Sequence, residues 1–416
     1  MHNTETLQRQ CESEPITFAT PHARIHGLPA EDARSRHAPG ARSRRDFLTM
    51  IVGAGLAGMS LLEAGSVRAA LARSQSAGAA TNLFDIEMVA EGVYAALARP
   101  TAMINSNAAV FVNSSDVVVM DTHSKPSAAA ALIAQIRKEI TQKPVRYVVN
   151  SHFHWDHIQG NSAYRATFPR VDFVASEATR RLMAQETGKR LKVTLDDLTA
   201  NMEQTRKNLA NAGNAEEKAF YRNLLAGQQA YGREMAKFRL ELPTVTIGQT
   251  VTLHDSAHSL HFAFCGRAHT EGDVVIFCPE KKVVATGDMV HAFLPYMGDG
   301  YPRDWPKTID VVGKYGFDYI IGGHGPVHRD RIRFKHMRDY IEELTARVAE
   351  GKKAGKDLAG LQKTITLASL KSLATDNYAS MVQDALTKFT LILGKASLES
   401  GIRDNIKDVF STLDKA

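Results

Sequence analysis

The chain has 416 residues, of which 44% are hydrophobic, so it can bury a large core. Its formal net charge of +6 is small for this length and comes without a basic run in the body of the chain, so we expect no nucleic-acid partner. Two or three average domains would fit this length, although sandwich folds of this size often form one.

The first segment, residues 1–72, is predicted to contain an export signal rather than a folded domain. The residues ahead of Arg44 and Arg45 are rich in Pro, Arg and Ser and predict a disordered leader. The two arginines precede a moderately apolar stretch at residues 47–62, which resembles a twin-arginine export signal. This predicts the twin-arginine export machinery as a partner and the periplasm as the location. An uncleaved anchor is the alternative, but the stretch is shorter than the roughly 18 to 20 residues that span a membrane, so we expect no stable anchor.

The folded part begins with strands. Short β-rich runs broken by Gly, Asn and Asp occur at residues 84–93 and 108–120 and predict the opening strands of a sheet. Residues 127–141 are alanine-rich with apolar residues at helical spacing, and residues 144–150 form a short β-branched run opened by a proline. These two segments, together with the strand before them, predict a βαβ unit.

Directly after that strand, residues 151–160 place three histidines and one aspartate within six positions: His152, His154, Asp156 and His157. Imidazole nitrogens and carboxylate oxygens suit borderline divalent cations such as zinc, and several must converge on one small volume. A histidine-rich surface loop is the alternative, but an H-x-H-x-D-H array is far less common than single histidines. The segment therefore predicts a metal site on a loop at a strand end.

Three later residues have the same setting. His269, Asp288 and His324 each follow a hydrophobic, strand-like run and have glycines nearby. Glycine permits the backbone to approach a metal closely. We therefore expect these residues to join the metal site.

In this order, the seven residues resemble the ligand set of the metallo-β-lactamase superfamily, over roughly residues 83–330. The resemblance implies an α/β fold, the four-layer αβ/βα sandwich, in which two mixed sheets pack face to face with helices outside. It also implies two divalent metal ions per chain, usually zinc. It assigns the first metal to His152, His154 and His269. It assigns the second metal to Asp156, His157 and His324, with Asp288 bridging the two.

The resemblance further implies an enzyme, a metal-dependent hydrolase with a small-molecule substrate. Two metals joined by Asp288 and a water would lower the pKa of that water and present hydroxide to an ester, thioester, lactone or amide-type bond. Asp156 would hold or move the attacking proton and is therefore a catalytic candidate. The bridging aspartate is glyoxalase II-like, whereas metallo-β-lactamases proper generally lack it.

Two other activities stay open. A β-lactamase acting on β-lactam antibiotics fits the periplasmic address, because these compounds are met there. An iron-dependent oxidoreductase on the same fold is the further alternative, although flavodiiron members would carry H-x-E-x-D and a flavin domain, which this sequence does not have. Gln159 stands where the family motif usually has its first glycine, and Trp155 is bulky. These departures resemble a periplasmic branch of unassigned zinc hydrolases.

A long aromatic loop at residues 291–306 follows the bridging position and predicts the surface where substrate is recognised. Tyr296 or Tyr301 would hydrogen-bond a developing oxyanion, and Arg303 would meet a carboxylate. Ordinary aromatic packing is the alternative. In the family, an aspartate at the end of an earlier strand supports the ligand loop, which makes Asp121 a candidate for that role.

Helices are predicted on either side of the second group of strands. Residues 176–241 are charged, with apolar residues at three- and four-residue spacing, and predict an insertion of two or three helices. It would form a wall or lid of the pocket, or else a scaffold or oligomerisation hairpin. Residues 331–416 predict a helical extension with breaks near 351–355 and 397–401, covering the sandwich or pairing subunits in a homo-oligomer.

The remaining cysteines and histidines give weaker signals. Cys265 and Cys278 lie on neighbouring predicted strands and would form either a disulfide or two buried thiols. His254, His258 and His261 lack the glycine-flanked setting at a strand end. We expect them at the surface and predict no second metal centre there.

Overall fold

The computed structural model describes residues 83–99, 106–389 and 395–415. The predicted leader and twin-arginine signal, residues 1–72, lie outside the described residues. Among the helices of the described ranges, none combines the length and the apolar character needed to cross a membrane.

In the described part of the chain, seven strands form the first sheet. They lie side by side in chain order: β1 (Phe84–Ala90), β2 (Val93–Ala98), β3 (Ala108–Val112), β4 (Val117–Met120), β5 (Val145–Val149), β6 (Asp172–Ser176) and β7 (Val245–Ile247). The pairs from β1 to β4 are antiparallel, whereas the pairs from β4 to β7 are parallel. The carboxyl ends of β4 and β5 therefore share one edge, where the loops after Met120 and Val149 meet.

The second sheet, again counted over the described residues, has five strands in the spatial order β12-β11-β10-β9-β8. They are β8 (Thr250–Leu253), β9 (Leu260–Phe264), β10 (Val274–Cys278), β11 (Val283–Gly287) and β12 (Tyr319–Gly322). Only the pair of β11 and β12 is parallel within this described sheet. The residues that follow β11 and β12 consequently lie next to each other.

The helices follow the same chain order. Their bounds are α1 (Pro126–Glu139), α2 (Trp155–Ile158), α3 (Asn161–Thr167), α4 (Glu177–Asn211), α5 (Ala215–Met235), α6 (Trp305–Val312), α7 (Ile332–Lys353), α8 (Leu358–Thr364), α9 (Lys371–Ala374), α10 (Tyr378–Phe389) and α11 (Lys395–Thr412). Two short 3₁₀ turns, Leu367–Ser369 and Thr375–Asn377, flank α9.

Three apolar clusters hold the layers together. The cluster between the sheets combines Phe111 and Met120 of the first sheet with Phe262 and Ile276 of the second. A second cluster joins the outer face of the first sheet to α1 and α3. A third joins the outer face of the second sheet to the C-terminal helices and contains the fully buried Trp305. The predicted αβ/βα sandwich is confirmed.

The βαβ unit is also found. β4 and β5 are parallel neighbours, and α1 connects them. Pro126 begins α1, where its fixed φ suits the first turn and its missing N–H costs no helical hydrogen bond. Leu132, Ile133 and Ile136 are buried against the sheet, and each contributes about 1.5 to 3 kcal/mol to folding by leaving water.

The predicted helical insertion consists of α4 and α5, a two-helix hairpin within a stretch that the structure describes without a gap. The side chains of Ser176 and Asn214 cap the two helices by accepting backbone hydrogen bonds. A small apolar cluster between the helices packs against Trp155, next to the predicted ligand loop. The insertion therefore reaches the site.

The C-terminal extension is helical, but one predicted break is wrong. The first break lies where expected, because α7 ends at Lys353. Residues 397–401, however, lie inside α11. A Cβ added at Gly401 would lie 3.4 Å from Leu294 Cδ1, at the edge of ordinary van der Waals contact, so this glycine lies within the helix and does not form a turn.

His258 also departs from the prediction. Its side chain is only 3% exposed, and its ring packs edge-on against Phe111 at a centroid distance of 6.4 Å. The sequence does not indicate the burial of His258, because this contact joins a loop of the second sheet to a strand of the first. His254 is exposed and His261 is half-buried.

Both cysteines that the structure describes are free thiols. Val274 pairs with Phe264 in the antiparallel β9-β10 pair, so Cys265 lies at one end of that pair and Cys278 at the other. This separation along the strands excludes a disulfide between them.

Gly160 provides a test of how the ligand loop packs. A Cβ at this position would lie 1.9 Å from the Thr122 carbonyl oxygen and 2.6 Å from the Ala129 Cβ. Gly160→Ala should therefore lower the free energy of unfolding by at least about 2 kcal/mol. Gly188→Ala is the matched control, because its Cβ would meet nothing within 4 Å and alanine favours the helix by roughly 0.5 to 1 kcal/mol. Urea denaturation followed by circular dichroism measures both, and a Gly160→Ala protein as stable as the wild type would refute this packing.

Candidate metal centre

Loops from both sheets meet around the seven predicted ligands. Four of them follow β5, in the loop and in the one-turn helix α2: His152, His154, Asp156 and His157. His269 lies between β9 and β10, Asp288 follows β11, and His324 follows β12. The backbone joins the loops directly, since Val274 N donates to Ser151 O at 2.8 Å. The ligand positions are therefore fixed by the packing of the two sheets.

The first predicted group is a cluster of three imidazoles, His152, His154 and His269, whose ligand atoms lie within 4.8 Å of one another. The Nδ1 atom of His154 is 3.0 Å from His152 Nε2 and 2.9 Å from His269 Nε2. Three nitrogens thus converge on one small volume, as a tetrahedral metal site requires.

The ring nitrogens that face away from this cluster form hydrogen bonds, and these hydrogen bonds determine the tautomers of His152 and His154. Ser151 Oγ donates to Asp121 Oδ2 at 2.8 Å and lies 2.9 Å from His152 Nδ1, so it accepts the proton of His152. His154 Nε2 lies 2.8 Å from a carboxylate oxygen of Asp299 and carries the other proton. The inner nitrogens of His152 and His154 are then lone pairs facing each other, an arrangement that a cation stabilises.

The second predicted group consists of Asp156, His157 and His324, also within 4.8 Å of one another. Asp156 Oδ2 lies 3.4 Å from His157 Nε2 and 3.2 Å from His324 Nε2. Asp288 contacts both groups: its Oδ2 is 3.3 Å from His324 Nε2 and 3.7 Å from His269 Nε2. The predicted bridging position is therefore geometrically between the groups.

The donor set fits divalent cations. His157 Nε2 and Asp288 Oδ1 are buried and lie 3.4 Å apart, yet neither has a hydrogen-bond partner among the described residues. Buried polar atoms are rarely left without a partner, because the cost is about 1 to 3 kcal/mol for each. A metal ion would satisfy both atoms at once.

Protonation differs between the two groups. Burial lowers the pKa of His152 well below its usual value and that of His269 to about 3, so these histidines are neutral at pH 7, the form that binds metals. Burial also acts on His324, but the carboxylates of Asp288 and Asp156 outweigh it and raise the pKa of His324 to about 9. A metal at the second group would therefore displace protons when it binds.

Asp121 supports the ligand loop as the family resemblance implied. One oxygen of Asp121 accepts from Ser151 N, and the other lies 2.8 Å from His157 Nδ1. This contact keeps the proton of His157 on Nδ1 and leaves Nε2 for a ligand. Asp121 adopts a left-handed backbone conformation, with φ at 69°, which is uncommon outside glycine and occurs here at a functional loop.

The loop of His269 has its own internal brace. Asp273 accepts hydrogen bonds from the backbone N–H and the hydroxyl of Thr270, at 2.8 and 2.9 Å. Burial raises the pKa of Asp273 to about 7 even though these hydrogen bonds oppose the shift. These hydrogen bonds stabilise the turn that contains His269.

Of the residues predicted to contact substrate, Tyr296 alone borders the described histidine cluster. Its ring centroid lies 5.7 Å from that of His154 and 6.1 Å from that of His269. Tyr301 instead packs against the Arg267 guanidinium at 4.4 Å and the Lys415 ammonium at 5.2 Å. This packing between two cations favours Tyr296 over Tyr301 as the oxyanion donor.

Arg303 contacts the end of the C-terminal helix, and its contact with a substrate carboxylate stays a prediction. Its Nε donates to the backbone oxygen of Leu413 at 3.1 Å, directly after α11. The guanidinium therefore holds the last carbonyl groups of the C-terminal helix, a common role for arginine at a helix end.

Two residues of the site were not predicted from the sequence. Asp299 lies next to His154, and Arg190 of α4 forms an ion pair with Asp299 at 2.6 Å. Burial alone would raise the pKa of Asp299, but the hydrogen bonds from Arg190 and His154 hold it well below its usual range. Asp299 sits between two glycines after a predicted ligand, which is a weak hint, whereas Arg190 is one of many charged residues on a polar helix.

Comparison with known proteins agrees with this geometry. The model of the family "Metallo-beta-lactamase superfamily" matches residues 103–324. The "Metallo-beta-lactamase type 2" of Bacillus cereus is 27% identical over 128 residues, 29% of this chain and 50% of that protein. The chain thus spans about half the length of this relative.

Two solved structures are also similar. A metallo-beta-lactamase from Pontibacter korlensis has a TM-score of 0.46 and 18% identity, covering 62% of this chain and 99% of that one. The DIM-1 metallo-beta-lactamase has a TM-score of 0.44 and 18% identity, covering 62% and 97%. The family model spans more than half of the 416 residues and includes all seven clustered ligands. The chain belongs to the metallo-beta-lactamase superfamily.

Proposed function

We propose that the protein is an exported hydrolase that uses two divalent metal ions, zinc by expectation, to cleave an ester, thioester, lactone or amide-type bond. The observation that carries this proposal is the position of Asp288, whose carboxylate lies within 3.7 Å of His269 in one group and 3.3 Å of His324 in the other. Membership in a superfamily of metal-dependent hydrolases supports it. The donor set of five imidazoles and two carboxylates suits zinc.

When bound, the metals would supply Lewis-acid polarisation of the substrate oxygen and an activated water at neutral pH. The chain supplies the groups around them. Asp156 is only 7% exposed, and although burial raises its pKa, His157 and His324 hold it well below the usual value. Asp156 is therefore an ionised carboxylate in a shielded position, which can accept a hydrogen bond from the attacking water and orient it.

Tyr296 would act as a hydrogen-bond donor at the site. Its ring packs on His154 and His269, which keeps the phenol beside the first group. A phenol O–H donates to a developing oxyanion without changing charge, and a preorganised donor stabilises the transition state more than the ground state. We assign Tyr296 this role.

We infer the location from the sequence of the N-terminal segment. Arg44, Arg45 and the apolar stretch after them support export through the twin-arginine machinery to the periplasm. This machinery carries folded proteins, so the metals would be acquired before export. A site built from loops of two packed sheets fits that order, since it exists only in the folded chain.

A β-lactamase is the second candidate. The similarity to the Bacillus cereus "Metallo-beta-lactamase type 2" favours it. Asp288 at the bridging position favours the ester and thioester hydrolases instead, because metallo-β-lactamases proper generally lack this aspartate. A substrate panel separates the two candidates.

The first test is metal-dependent hydrolysis. The zinc-loaded mature protein should hydrolyse members of a panel of aryl esters, thioesters, lactones and a chromogenic cephalosporin, and a chelator should abolish the activity. His154→Ala should reduce kcat/KM by more than the roughly 10- to 100-fold that loss of an outer hydrogen-bond partner costs, because it removes a ligand. Circular dichroism should show an intact fold. Activity that survives both the chelator and His154→Ala would refute the metallohydrolase.

The second test concerns the bridge. His154→Ala removes one ligand of the first group, so metal analysis should find close to one ion per chain. Asp288→Ala removes a contact to both groups, so occupancy should fall at both sites under the same conditions. Full occupancy of both sites in Asp288→Ala would show that Asp288 does not bridge.

The third test concerns Tyr296. Tyr296→Phe keeps the ring packing and removes only the hydroxyl, so kcat should fall about 100- to 1000-fold with little change in metal content. Tyr301→Phe is the control and should keep wild-type kcat, since that ring lies between Arg267 and Lys415. Equal kcat for Tyr296→Phe and the wild type would reduce Tyr296 to a packing residue.

A further inference from the structure

We propose that Asp299 and Arg190 form a positioning pair that fixes His154 for the first metal and so couples that metal to the helical insertion. The proposal rests on the metal site described above. It adds two residues and one element, α4, that lie outside the seven clustered ligands.

The contacts form a chain of three side chains. Asp299 Oδ2 lies 2.8 Å from His154 Nε2. Arg190 donates to both oxygens of the same carboxylate, from Nη1 to Oδ2 at 2.6 Å and from Nη2 to Oδ1 at 2.7 Å. A two-point guanidinium-carboxylate contact fixes the orientation of the carboxylate plane as well as its position.

The consequence for His154 is a defined tautomer. Its Nε2–H donates to Asp299, so Nδ1 is the nitrogen available to a metal, and Nδ1 is the atom that faces His152 and His269. Rotation of the imidazole would break the contact with Asp299. A ligand whose outer nitrogen is held in this way binds metal more strongly than one that must be ordered on binding.

His154 differs in this respect from two other ligands. His152 is oriented by Ser151, its neighbour in sequence, and His157 by Asp121 at the end of β4. Both supports belong to the sheet core. The support of His154 depends on a side chain from the insertion, so the position of α4 bears directly on one metal ligand.

The surroundings make this ion pair stronger than an exposed one. The side chains of Asp299 and Arg190 are 18% and 26% exposed. The Arg190 guanidinium also lies 4.7 Å from the ring centroid of Phe153, the residue between His152 and His154. Shielded two-point pairs contribute more to stability than exposed single contacts do.

Coupling between two sites is reciprocal. If Arg190 strengthens binding of the first metal, then that metal must stabilise the docked position of α4 by the same factor. Metal loading should therefore slow amide hydrogen exchange in α4 around Arg190, a readout that does not depend on activity.

The experiment compares Asp299→Ala, Arg190→Leu and Arg190→Lys with the wild-type chain. Arg181→Gln is the matched control, because Arg181 lies on the same helix and pairs at 2.6 Å with Glu271, in the loop of His269, through an exposed contact. Zinc affinity is measured by competition with a chromophoric chelator. Ligand geometry is measured by the absorption spectrum of the cobalt-loaded protein, and helix protection by hydrogen exchange with and without zinc.

We expect Asp299→Ala and Arg190→Leu to weaken zinc binding at the first group about 10- to 100-fold and to change the cobalt spectrum. Arg190→Lys should be intermediate, because an ammonium keeps the charge but cannot form the two-point contact. It also keeps the proposal testable if the other variants fold poorly. Arg181→Gln should match the wild type.

Wild-type affinity and an unchanged cobalt spectrum in Arg190→Leu would overturn the inference and leave the proposed function intact. An equal loss in Arg181→Gln would also overturn it, since any tether of α4 would then suffice. If the wild-type chain itself binds no metal, the proposed function fails and this inference fails with it.

Discussion

The centre of the molecule is governed by the need to neutralise buried carboxylates. Asp121, Asp156 and Asp288 are 2%, 7% and 7% exposed and meet at His157. Buried charges that lack partners cost several kcal/mol each, so their neighbours must be cationic or able to bind a cation. The raised pKa of His157, against the effect of its burial, is a direct consequence. Divalent ions and protons therefore compete for the same atoms, and metal binding is linked to proton release.

This concentration of charge is possible because of how the sheets are connected. β4 and β5 run parallel, as do β11 and β12, so the residues after these strands gather at their carboxyl ends. The apolar cluster between the sheets holds the two sets of loops against each other. Gly160 shows how little room is left, since a Cβ at this position would lie 1.9 Å from the carbonyl oxygen of Thr122. The packing of the core thus brings polar loops together at one place. Apolar packing between the layers offsets the free-energy cost of burying the polar cluster.

How much of this was visible in the sequence depends on the range of each interaction. The ligands were predictable because the spacing in residues 151–160 is local and each later ligand follows a strand within one loop. Asp121 was predictable only through the family resemblance. Arg190 and Asp299 are 109 positions apart, and no local pattern marks either as a partner of His154. Tertiary contacts of this kind also determine where Tyr301, Arg303 and His258 lie, because each of these side chains contacts an element that is distant in the sequence.

The helical insertion, α4 and α5, contributes contacts to the candidate metal centre. Its helices contact the site in two ways: an apolar cluster packs on Trp155, and the ion pair of Arg190 with Asp299 reaches His154. The first contact packs the insertion against the ligand loop, and the second orients the imidazole of His154. A helical hairpin that only packed on Trp155 could change its position without changing the orientation of His154. Because α4 and α5 form one hairpin around a shared apolar cluster, a substitution that moves this hairpin to admit a larger substrate would alter both the contact with Trp155 and the orientation of His154.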